Sequence, residues 1–386
     1  MGRVRFSDVV KRVNVFVDRE HTDLLYYVGG EHIDSDAFMV RKNGLIKGAT
    51  IGYKFHFGFQ PGHILFMSRN PHLRKCSMVD FAGVCSDSTY VVETRDENVL
   101  LQKYLLIEMQ SDRFWKWAEE NKSGSVNYLI NYCTLDSYEF DLPPIEEQRA
   151  LAEKLWAAND LKEKYQHLLA ATDEMLKAKF REMFKQKTAL KNDWPIVMFK
   201  EVCVSGPQNG FYRKGSEING TVAILKMKQL FANESMDLAT DCDRISLTEE
   251  EVLKYRLTEN DLVFGRRSLV PAGAGKCRRV GALREDTVFE SSMLRVTLDV
   301  NKAVPIFVQA WSEWGDGAEV LSKLRSGTTV VGVKGSDLKA MPITLPPIDL
   351  QREFVSIANA AEASKAELKK SVTSIDAVMR GLINRR

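Results

Sequence analysis

The chain has 386 residues, of which 44% are hydrophobic and 27% charged, and its net charge is only +2. That length is too great for one ordinary core and fits two to three domains of a folded, water-soluble protein. No apolar run approaches the roughly 18 residues of a membrane span, and the near-neutral balance neither demands nor excludes a polyanionic partner.

The N-terminus, Met1-Gly2-Arg3-Val4-Arg5-Phe6, lacks the apolar core of a signal peptide and has Phe6 where myristoylation needs Ser or Thr, so a cytoplasmic protein is expected. Val4-Arg5-Phe6-Ser7-Asp8-Val9 opens a domain of short strands and helices. From Arg41 to Lys75 lie Arg41, Lys42, Lys47, Lys54, Arg69, Arg74 and Lys75 with no Asp or Glu, interleaved with Tyr53, Phe55, Phe57 and Phe59. The three phenylalanines alternate as strand residues do and are assigned to a packed sheet face. Ile64-Leu65-Phe66, after a polar turn, and Ser88-Thr89-Tyr90-Val91-Val92 are strand-like. Lys122-Ser123-Gly124-Ser125 and Leu135 precede Leu142-Pro143-Pro144-Ile145-Glu146-Glu147-Gln148-Arg149, where proline and acidic residues mark a helix start. Beyond it Leu151, Leu155, Ala158, Leu161, Tyr165, Leu168, Thr172, Met175 and Lys179 beside Phe180 step by three or four, which predicts a long helix with a coiled-coil seam. At 1.5 Å per residue it spans roughly 50 Å, and a helix this long needs a partner.

The second half repeats the first. Leu345-Pro346-Pro347-Ile348-Asp349-Leu350-Gln351-Arg352 returns 203 residues after the first copy, and at the same offset Arg325-Ser326-Gly327-Thr328 answers Lys122–Ser125 and Leu338 answers Leu135. Val197–Val202 matches Val4–Val9, Glu259–Phe264 resembles Pro61–Phe66, and Ser292–Val296 resembles Ser88–Val92. A second basic stretch carries Lys254, Arg256, Arg266, Arg267, Lys276, Arg278, Arg279 and Arg284 against only Glu259 and Asp261. The second tail gives the stripe Phe354, Ile357, Ala361, Ser364, Leu368, Val372, Ile375, Met379 and Leu382. The expected fold is α+β (mixed α/β), a pseudo-twofold repeat of two globular domains, 1–141 and 189–344, joined by two long coiled-coil helices, 142–188 and 345–386.

Lysine and arginine bind phosphates, and arginine also reads guanine edges. Two basic runs at matching places therefore point to nucleic acid, with Arg41, Lys42, Lys47, Lys54, Arg69, Lys75, Arg266, Arg267, Lys276, Arg278 and Arg279 as candidate contacts. The repeated motif suggests a docking surface presented twice, with Pro143, Pro144, Gln148, Arg149, Pro346, Pro347, Gln351 and Arg352 as candidates. Catalytic patterns are missing. Gly273-Ala274-Gly275-Lys276-Cys277 fails the phosphate-loop pattern at Val270 and at Cys277. No Asn-Pro-Pro-aromatic or Asp-Pro-Pro-aromatic box and no nuclease Pro-Asp is present. The six histidines form no His-Glu-x-x-His pair and read as surface or packing residues, and the six scattered cysteines read as reduced packing residues with no metal-ligand spacing.

Two diverged domains, each followed by Leu-Pro-Pro-Ile-x-x-Gln-Arg and a long helix, and each preceded by the Ser-Gly-Ser or Ser-Gly-Thr element, resemble the specificity subunit of type I restriction-modification systems over nearly the whole chain. The resemblance implies a non-catalytic subunit. Each target recognition domain would read one half of a bipartite, asymmetric double-stranded DNA target. The helices would pack antiparallel, set the spacing and dock two methyltransferase subunits, which carry S-adenosylmethionine, while motor-endonuclease subunits join to cleave unmodified DNA. No cofactor, metal or membrane is expected on this chain. It starts directly at the first recognition domain, whereas many relatives carry conserved sequence before it. The rival readings are a coiled-coil adaptor that binds only proteins and a self-contained restriction-methyltransferase, for which a cofactor domain is lacking.

Overall fold

The computed structural model describes residues 2–18, 20–49, 51–184, 194–212, 218–232, 242–283 and 285–385, so Arg284 and the junction 185–193 lie outside the described residues. It divides into two compact units, Met1–His167 with Leu368–Arg386, and Leu168–Glu367. Each long helix, Ile145–Phe184 and Ile348–Ile383, therefore contributes one part to each unit. No helix is long and apolar enough to cross a membrane among the described residues.

The first unit begins with the strand Gly2–Arg5, which pairs antiparallel with Glu139–Leu142, the strand that runs into the first Pro-Pro. One helical turn, Phe6–Val9, then drops Phe6 and Val9 into the core. A four-stranded antiparallel sheet follows in the order Val10–Arg12, Thr89–Thr94, Ile64–Met67, Cys76–Met78. A five-stranded sheet, ordered Val15–Phe16, Phe55–Phe59, Gly83–Ser86, Tyr26–Val28, Gly44–Leu45, leans on its other side. Phe57 and Phe59 are buried there, as their alternation predicts.

The second unit repeats this plan. Ile196–Met198 pairs with Pro342–Thr344 before the second Pro-Pro, and the turn Phe199–Val202 buries Phe199 and Val202. The four-stranded sheet is ordered Cys203–Asn209, Met293–Leu298, Asp261–Gly265, Cys277–Arg279. Its neighbour differs, having three strands, Asp243–Ile245, Ile218–Leu225 and Thr287–Phe289. The helices Gln102–Met109 and Asp112–Glu120 of the first unit answer Pro305–Trp314 and Gly317–Lys323 of the second.

Within each unit the long helices run antiparallel. In the first, Leu151 lies near Ile383 and the Lys162 ammonium meets Asp376 at 2.7 Å. In the second, Lys365 pairs with Asp173 and the Phe180 ring meets Phe354 at 5.3 Å. The buried face departs from the expected seam, because Leu161, Leu168 and Met175 are exposed. Leu155 and Phe180 of that seam are buried as expected, and burial otherwise shifts to Ala152 and Trp156, in the core of the first unit, and to Leu176 and Met183, in that of the second. Within each unit an ion pair thus joins the two helices beside the core packing, Lys162–Asp376 in the first and Lys365–Asp173 in the second.

Candidate nucleic-acid interface

The Pro-Pro-x-x-x-Gln motif is built the same way twice. The Oε1 of Gln148 accepts from the amide of Leu101 at 3.0 Å, and its Nε2 donates to the carbonyls of Val99 and Pro143 at 2.9 Å each. Gln351 accepts from Val304 at 3.1 Å and donates to Lys302 at 3.0 Å and Pro346 at 2.9 Å. Every partner is displaced by the same 203 residues. Both glutamines are wholly buried, and Pro143 and Pro346 are buried beside them. These four expected docking residues are thus corrected: they clamp each helix start to the segment before the helices Gln102–Met109 and Pro305–Trp314. Only Pro144, Arg149, Pro347 and Arg352 of that set are exposed.

The Ser-Gly elements are also alike. Ser123 and Leu129 exchange backbone hydrogen bonds of 2.8 and 3.0 Å, and Ser326 and Gly332 exchange bonds of 2.9 and 2.8 Å. Each closes a loop whose glycine has a positive φ, +100° at Gly124 and +104° at Gly327. A Cβ there would meet the carbonyl oxygen of Asn127 at 2.6 Å or of Val330 at 2.3 Å, so only glycine fits. Each loop pairs with the chain leaving the central strand: Arg69 bridges Leu129, and Arg267 pairs with Gly332. The amides of Ile130 and Val333 complete the match by donating to Ser68 and Arg266, each at 2.9 Å. Arg69 and Arg267 thus hold one structural place, both are exposed, and neither has an ion pair among the described residues.

In the second unit this place opens into a cleft of about 820 Å³. Arg266, Arg267, Lys334 and Lys339 line it together with Asn209, Ser326 and Ser336, and no acidic side chain does among the described residues. Four positive charges on an open, acid-free concavity suit a polyanion. Lys334 and Lys339 were not singled out from sequence. Their signal, one lysine just before and one in the last turn of the short helix Gly335–Ala340, is too weak to notice until the fold brings them beside Arg266.

Other expected contacts are engaged within their units. Arg41 donates to Asp80 at 2.6 Å and to Glu163 of the long helix at 2.7 Å, and those carboxylates raise its pKa, the hydrogen bond it donates to Glu163 most. Lys42 pairs with Asp34 at 2.6 Å, Lys54 with Asp87 at 3.4 Å, and Lys75 donates to the Gly30 carbonyl. Lys276 is half-buried over the Phe231 ring, and burial lowers its pKa. Arg278 and Arg279 are corrected outright. Arg278 is 8% exposed and ion-paired with Glu313, while Arg279 reaches Glu362 of the second long helix. Both guanidiniums neutralise internal carboxylates and tie strand to helix. Lys47 is exposed without an ion pair among the described residues.

The cysteines are free, with Cys76, Cys85 and Cys277 buried, and burial pushes the thiols of Cys85 and Cys277 up to about 12.

No family model matches the chain. It is similar to the type I restriction enzyme EcoKI specificity subunit of Escherichia coli K12, at 21% identity over 326 residues, 80% of this chain and 67% of that subunit. It is also similar to the Escherichia coli EcoDI specificity subunit, at 28% identity over 109 residues, 28% of this chain and 24% of that subunit. Its fold matches over 99% of its length a type I restriction-modification S subunit from M. genitalium, with TM-score 0.59, 12% identity and 94% of that chain covered. A chain from a structure of type I system assembly and conformational transition matches with TM-score 0.57, 16% identity and 96% covered. The mixed helix and sheet architecture is thus that of type I specificity subunits.

Proposed function

We propose that this chain is the sequence-reading subunit of a type I restriction-modification complex, and that each unit reads one half of a bipartite DNA target. The observation that carries the reading is the cleft of Arg266, Arg267, Lys334 and Lys339, without an acidic side chain among the described residues, beside a Ser-Gly loop whose counterpart in the other unit pairs with Arg69. A protein-only adaptor needs neither the cleft nor two diverged domains on one repeated frame, so that alternative is not favoured.

The chain itself performs no chemistry. Adenine methylation belongs to two methyltransferase subunits that bind S-adenosylmethionine, and cleavage to motor-endonuclease subunits, all acting in the cytoplasm. Exposed Pro144 and Arg149 of the first unit, and separately exposed Pro347 and Arg352 of the second, each offer those partners a docking surface. The length of the helices sets the gap of unread base pairs between the half-sites.

The test is duplex binding by the chain with its methyltransferase partner, followed across salt concentration. Affinity that falls steeply with salt and a methylated motif in two halves support the reading. Salt-independent binding, or no recurring motif among the modified bases, would sink it.

A further inference from the structure

Where the second unit has its cleft, the first unit has a caged arginine. Arg12 ends the edge strand Val10–Arg12, opposite Val92. Its guanidinium lies 4.6 Å from the centre of the Tyr90 ring, 5.2 Å from Tyr132 and 5.2 Å from Phe57. Tyr90 pairs with Phe66 as Leu294 pairs with Phe264, and Tyr132 opens the helix Tyr132–Asp136 as Gly335 opens Gly335–Ala340. Leu294 and Gly335 both line the basic cleft. Two tyrosines and an arginine thus take the place of that concavity. The Tyr90 hydroxyl donates to the carbonyl of Ile130 at 3.0 Å, next to Leu129, which pairs with Arg69.

We propose that Arg12 is the base-reading side chain of the first unit and that it recognises a guanine; this rests on the DNA-reading function above. Three observations carry it. The guanidinium is partly exposed and has no ion pair or hydrogen bond among the described residues, so its N–H donors are unspent. Three aromatic rings, those of Phe57, Tyr90 and Tyr132, surround the guanidinium, which reduces the side-chain freedom to be lost on binding while cation–π contact spends none of its N–H donors. Guanine O6 and N7 present the paired acceptors that a flat arginine fork matches, whereas a lysine ammonium meets them as a point charge. Exposed Arg69 nearby supplies a positive charge for the adjoining phosphate. Sequence reasoning passed over Arg12 because it stands outside the dense basic run and its cage comes from three distant segments.

The experiment selects bound duplexes from a library randomised in both half-sites, using the full chain with its methyltransferase partner. The wild type should prefer guanine at one position of one half-site. Arg12→Lys keeps the charge and should reduce that preference by about 5- to 150-fold while leaving the other half-site as it was. Tyr132→Leu loosens the cage and should weaken preference at the same position, which a merely structural role would not single out. Thermal melting confirms that both variants are folded. Unchanged preference at every position in Arg12→Lys, or uniform weakening with no position singled out, overturns the proposal. A wild type with no preference in either half-site overturns the DNA-reading function itself.

Discussion

Replacing Gln148 by alanine separates a clamp from a docking residue. The side chain satisfies three buried backbone groups, the Leu101 amide and the carbonyls of Val99 and Pro143, and it has no exposed surface. With a net loss of about 1 kcal/mol per hydrogen bond, the substitution should cost about 3 kcal/mol. For a unit of this size that lowers its melting temperature by roughly 6–12 °C. Gln351→Ala should cost the second unit about the same, since its three bonds are equivalent. Gln148→Glu should be worse than alanine, because a carboxylate aims an acceptor at two carbonyls and buries a charge. Calorimetric or urea unfolding of the full chain measures all three. If Gln148→Ala unfolds like the wild type yet fails to capture the methyltransferase subunit, the clamp reasoning is refuted and docking is restored.

Further outcomes follow from the same geometry. Arg267→Ala and Lys334→Ala should each lower the dependence of log affinity on log salt by about 0.9, with weakened binding confined to the half-site of the second unit; equal losses in both half-sites would contradict separate readers. Glu313→Ala removes the carboxylate paired with the buried Arg278 and should destabilise the second unit by about 1.5–3 kcal/mol, read by urea unfolding. Deleting two heptads from 151–184 should shorten or abolish the recognised spacing while leaving each half-sequence unchanged, and a methylome with the original spacing would show that helix length does not set it.

The chain's own repetition made much of the fold legible before any coordinate. Gapless matching at one offset gave the two-part plan, and proline placement with three-and-four spacing gave both long helices, because helix starts and amphipathic faces are local properties. Strands such as Ile64–Met67 and Asp261–Gly265 were visible for the same reason. The glutamines were conspicuous, but their role was not, since a side chain's burial depends on segments about fifty residues away. The basic residues divided in the same way. Arg278 and Arg267 look alike along the chain, yet Glu313 neutralises one in the interior and the other stands exposed at the cleft. Arg12 was invisible until Phe57, Tyr90 and Tyr132 converged on it. Local periodicity determined the elements and their duplication, whereas long-range contact decided which charges are already matched and which remain open to a partner.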